Sequence, residues 1–152
     1  MPARYRFSTV DRTRCERGSV VIVSAEDDPE DTIRPRLEAA GADLSRCHIL
    51  DAVEDRAPNG TARRRAFSLA TDLPLLSAAL ADLPEAALVV IDPVTAYLGE
   101  TDSHKNADVR AVLAALAEVA AKHGVAMVAV SHLRKSGAGE ALLQVTGSLA
   151  FV

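Results

Sequence analysis

The stretch SVVIVSAEDDPEDTIRPRLEAAG, Ser19–Gly41, decides the fold. Ser19–Ala25 (SVVIVSA) is a short apolar run rich in β-branched side chains, and it reads as a buried strand. Asp28 has the chemistry of a helix N-cap, and Pro29 suits the first helical position. Glu30 and Asp31 favour the positive end of the helix dipole. The spacing predicts a helix to about Ala40, with Ile33, Leu37 and Ala40 on one face. Pro35 falls inside it and is expected to kink it or delay its regular start, and Gly41 ends it.

The same alternation continues outward. Cys47–Leu50 is a short strand candidate, and residues 52–66 read as a polar loop turning at Pro58-Asn59-Gly60. Asp72 is expected to cap a helix from Leu73 to Leu83, in which Leu73, Leu76, Leu80 and Leu83 share a face. Ala86–Ile91 is the next buried strand, and residues 93–104 read as loop. Asn106–His123 carries the clearest helical period, through Val109, Val112, Leu113, Leu116 and Val119, and Gly124 closes it. Val125–Val130 is the fourth strand, Leu133–Glu140 a Ser/Gly-containing loop, and Gly147-Ser148 a candidate helix start. Apolar strands alternating with helices imply an α/β domain with a mainly parallel sheet and helices on both faces.

Composition bounds what such a domain does. With 152 residues the chain has a one-domain length. Apolar residues make up 49% and aromatics 3%, which argues against an aromatic platform for stacking bases. A net charge of −4 excludes a uniformly basic nucleic-acid clamp. The arginine run Arg63–Arg65 and the cluster Arg4, Arg6, Arg12, Arg14 and Arg17 read as a solvated loop and a solvated tail. Cys15 and Cys47 lack metal-binding spacing and fit a reducing compartment, so the chain is read as soluble and cytoplasmic. Residues 1–18 read as a poorly ordered lead-in and residues 19–152 as one domain.

In a parallel sheet every C-terminal strand end points the same way, and ligands bind there. Glu26 follows the first strand, Asp51 the second, Asp92 the third, and Ser131 and His132 the fourth. Carboxylates, a hydroxyl and an imidazole at one edge suit metal-assisted phosphoryl chemistry. Each has a plainer reading. Asp92 before Pro93 can bond backbone in a turn, Asp51 can simply form a turn, and a lone His is more often structural. Glu26 stands apart, because it lies between the strand and the cap.

These segments also resemble a known family. VVIVSAEDDPEDTIRPRLEAAGAD, Val20–Asp43, resembles the segment that carries the catalytic glutamate in RepA-like hexameric helicases and related AAA family ATPases of the RecA superfamily. VVIDP, Val89–Pro93, is similar to a Walker B strand, and IDPVTAYLGETDSHKN, Ile91–Asn106, to the loop after it. VAMVAVSHLRKSG, Val125–Gly137, is similar to the sensor strand, and VTGSLAFV, Val145–Val152, to the motif that follows. The resemblance implies a RecA-like P-loop NTPase core that uses ATP and Mg²⁺. It makes Glu26 the residue that polarises the attacking water, Asp92 the holder of the Mg²⁺ hydration shell, and Ser131 and His132 the γ-phosphate sensors. It implies ring-forming copies of the chain and single-stranded DNA as partners, with Lys135 a contact to DNA or a neighbouring subunit.

One part of that pattern is missing. A P-loop, GxxxxGK[ST], cradles phosphates with its backbone N–H groups and reaches them with its Lys. None of the eight glycines is followed by Lys. Three expectations follow. ATP turnover by this chain alone is negligible, the P-loop comes from a companion chain or neighbouring coding sequence, and Val125–Val130 is left as an apolar edge. The chain reads as shortened at both ends. A non-catalytic remnant or protein-interaction module, and an unrelated metal-dependent phosphohydrolase built on Glu26, Asp92 and His132, stay open as alternatives.

Overall fold

A computed structural model describes residues 17–56, 60–98 and 106–132 of the chain. Strand β1 (Ser19–Ser24) leads through Asp28 into a single wide π turn, Pro29–Ile33. The Asp28 carboxylate accepts from the N–H groups of Glu30 and Asp31, both at 2.8 Å, so the expected cap forms. Regular helix α1 begins only at Arg34 and runs to Ala39. Pro35 has no N–H to give to an i−4 carbonyl, and the wide turn absorbs the delay. Ile33 is buried and Leu37 half-buried, but Ala40 is exposed and does not join their face.

Strand β2 (Cys47–Ile49) follows. The expected polar loop at 52–66 is instead an antiparallel ribbon, β3 (Val53–Arg56) and β4 (Ala62–Arg65). Its pairing is driven by charge rather than apolar alternation. Asp55 lies opposite Arg63 and Glu54 opposite Arg64, and Asp55 accepts from Arg63 at 3.4 Å and Arg65 at 3.3 Å. Helix α2 is Leu73–Ala81, strand β5 is Ala86–Asp92, helix α3 is Asn106–His123 and strand β6 is Ala126–Ala129. Between β5 and α3, Val94–Tyr97 forms a 3₁₀ turn in place of the expected open loop. Val94, Tyr97 and Leu98 are buried, so this turn is part of the core.

The four-stranded sheet has the order β2-β1-β5-β6, all parallel, and is flanked by helices. Val21, Val23, Val89 and Ile91 point to one face and join a single core with Leu76, Leu80, Val109, Val112 and Leu116. The alternate residues Val20, Ile22, Leu88 and Val90 are only half-buried. Among the described residues the two sheet faces are therefore unequal, although the strand sequences are apolar on both. Strand β6 ends the sheet, and Val128 is 48% exposed, as an uncovered apolar edge requires.

Two glycines have physical reasons to be glycine. Gly124 has φ 65° and closes α3 in the left-handed region. A Cβ on Gly18 would lie 2.4 Å from Ala87 Cβ, so that position permits strand packing. Lys135, the loop expected at 133–140 and the candidate helix start at Gly147-Ser148 lie outside the described residues. So does the expected lead-in, apart from Arg17 and Gly18.

Candidate active site

Parallel pairing brings the ends of β1, β5 and β6 to one edge of the sheet. Backbone bonds continue past the strands and hold the loops. The N–H of Ala25 donates to the Asp92 carbonyl at 3.0 Å, that of Val130 to Ile91 at 2.9 Å, and that of Val94 to Val130 at 2.9 Å. The first residues after each strand are thus positioned by the ladder itself. The Asp92–Pro93 peptide bond is cis.

On this edge Glu26, Asp92 and His132 converge. One donor atom from each lies within 4.8 Å of the others. His132 Nε2 stands 3.1 Å from both Glu26 oxygens. Glu26 and His132 are about half exposed, with side-chain exposures of 55% and 51%. Asp92 differs. Its Oδ1 is shielded from solvent and has no hydrogen-bond partner. A buried carboxylate oxygen without a donor is costly, which is unusual unless the site has a use for it. Ser131, half-buried, precedes His132 on the same strand end.

The other candidates separate from this cluster. The Asp51 carboxylate pairs with Arg64 of β4, which fits the reading of a turn and surface residue. Asp27 pairs with Arg36 at 2.7 Å, and Asp28 is consumed by capping. Asp72 does not cap α2 with its side chain. Instead it accepts two bonds from Arg65, at 2.5 and 2.7 Å, and one from Ser68 N–H at 2.8 Å. These bonds hold its carboxyl below the usual carboxylate range, the Arg65 contact most of all. Arg65 is therefore structural and not part of a solvated run.

Tyr97 was not singled out by sequence, because it falls in a stretch that reads as loop. It is buried, and its ring meets Phe67 edge-on at 6.1 Å between centroids. Burial, with the nearby charges of Asp51 and Asp92, pushes its phenol up to about 12. It forms a neutral, apolar wall near the Asp92 carboxylate and is no proton donor near neutral pH. The only signal that could have found it is its place five residues after the Asp92 strand end.

A family model described as an AAA domain matches residues 6–138. The chain belongs to the AAA domain family. This places it among ATPase-type domains of the RecA-like superfamily, in agreement with the parallel sheet and its loaded edge. No curated protein matches the chain.

Proposed function

We propose that this AAA domain is an ATPase core of the RepA-like helicase type, linked to DNA replication, whose water-activating and metal-holding residues are Glu26 and Asp92. The observation that carries the reading is the meeting of Glu26, Asp92 and His132 within 4.8 Å at the carboxyl edge of a parallel sheet. Glu26 is exposed, lies outside the helix cap, and is free to accept a proton from water on the solvent side. Asp92 suits a hydrated Mg²⁺, because its shielded Oδ1 lacks a donor and Mg²⁺ keeps several waters when a carboxylate holds it. Such an ion supplies charge neutralisation for phosphoryl transfer. His132 bridges the Glu26 carboxylate to β6, which supports a role with Ser131 in coupling the reacting edge to the segment beyond.

ATP fits less well. No GK[ST] sequence is present to cradle the phosphates, so no step through the nucleotide is assigned to this chain's residues. Turnover requires a P-loop from a companion polypeptide, with a ring of copies and single-stranded DNA as the proposed partners. The test is phosphate release from Mg-ATP by the full chain, alone and mixed with a polypeptide bearing an intact GK[ST] loop. The expected result is no turnover alone, and turnover in the mixture that Glu26→Gln lowers at least about 100-fold. Micromolar binding of Mg-ATP by the chain alone overturns the negligible-activity part. Turnover in the mixture that Glu26→Gln leaves intact overturns the assignment of Glu26.

A further inference from the structure

We infer that Glu26, Asp92 and His132 form a site that binds a first-row divalent transition ion directly, without nucleotide. The class of ligand is set by the donor chemistry. Two carboxylates and one imidazole match ions that accept nitrogen as well as oxygen, such as Zn²⁺ and Co²⁺. Mg²⁺ prefers an all-oxygen shell, so the imidazole adds nothing for it.

Geometry supports direct ligation. With metal–ligand bonds of about 2.1 Å, atoms on neighbouring corners of a coordination shell lie about 3.0–3.4 Å apart. The His132 Nε2 to Glu26 separation is 3.1 Å for both oxygens, inside that range. The 4.8 Å limit for the full set is slightly wider than the roughly 4.2 Å maximum across such a shell, so small side-chain rotations complete it. Three different strand ends supply the donors, and parallel pairing fixes their spacing. The independent observation is the Asp92 carboxylate, whose Oδ1 is shielded and unpartnered among the described residues. A cation at this edge offsets the charge that no protein donor meets. Exposure of Glu26 and His132 leaves room for water on the open positions, so the site is accessible to an incoming ion.

The inference does not rest on the helicase reading, because it concerns the nucleotide-free chain. The experiment is titration of the purified full chain with Co²⁺, followed by visible absorption, and with Zn²⁺, followed by calorimetry. Cys47→Ser is used as the background so that thiolate binding does not contribute. One ion per chain is expected, with a spectrum free of sulfur charge transfer. His132→Ala and Glu26→Gln should each weaken binding at least about tenfold, and both residues are exposed enough that folding is not at stake. Mg²⁺ should compete only at concentrations at least about 100-fold higher. No one-to-one binding, or binding unchanged in both variants, overturns the site. ATPase results do not bear on it.

Discussion

Asp72 and Asp92 are both carboxylates tucked against the core, and the fold treats them in opposite ways. Asp72 is 3% exposed and receives two bonds from Arg65 and one from a backbone N–H. Asp92 has a shielded oxygen that receives none. The first carboxylate joins ribbon β3–β4 to the entry of α2. The second sits at the sheet edge beside Glu26 and His132. A buried charge that is fully met is a structural joint. One that is left unmet is stable only because the rest of the fold holds it there, and that is the mark of a site.

The comparison is broken first at Asp72. Arg65→Ala leaves a buried carboxylate with a single backbone donor. The expected cost is about 3 kcal/mol, at the low end for a buried pair because Arg65 is itself partly exposed. Urea denaturation at neutral pH measures it, and a loss below about 1 kcal/mol would mean that the joint is dispensable.

The same pair has a pH signature. Asp72 is held below its ordinary value of about 3.9, so the unfolded chain takes up this proton first as pH falls. The pair's contribution is complete above about pH 5 and is lost as pH drops through the folded value. The stability gap between the parent chain and Arg65→Ala should therefore narrow between pH 5 and pH 3. A gap that stays constant across that window removes the ion-pair explanation.

Asp92 should behave differently. Asp92→Asn removes a charge that has no partner at Oδ1, so stability is expected to stay the same or rise by up to about 1 kcal/mol. Thermal unfolding checks this, and a marked loss would show that Asp92 is a structural joint like Asp72. The smallest effects belong to Glu26→Gln and His132→Ala. Their exposed pair should contribute no more than about 0.5 kcal/mol to stability. Chemical denaturation of each variant, and of the double variant, tests whether the pair is structural.

Much of the fold was legible in sequence because its signals are local. β1, the Asp28 cap and the 18-residue α3 follow from apolar runs, capping chemistry and helical period within a few residues. The ribbon β3–β4 was not legible. VEDR and ARRR have no apolar alternation, and their strand character comes from cross-strand charge pairing. Tyr97 was missed for a similar reason, since its burial depends on Phe67 in a distant segment. The uneven faces of the sheet were also hidden, because an apolar strand does not say whether both sides are covered.

The sequence by itself determined the α/β class, the parallel order of strands and helices, and the residue types delivered past each strand. Glu26, Asp92 and His132 were each readable as strand-end residues. Only the tertiary structure decided that these three meet, that Asp51 does not join them, and that Asp72 serves Arg65 and not the α2 cap. The reason is range. Local patterns are set by neighbours along the chain, whereas a carboxylate's role is set by which donors packing brings to it across the fold.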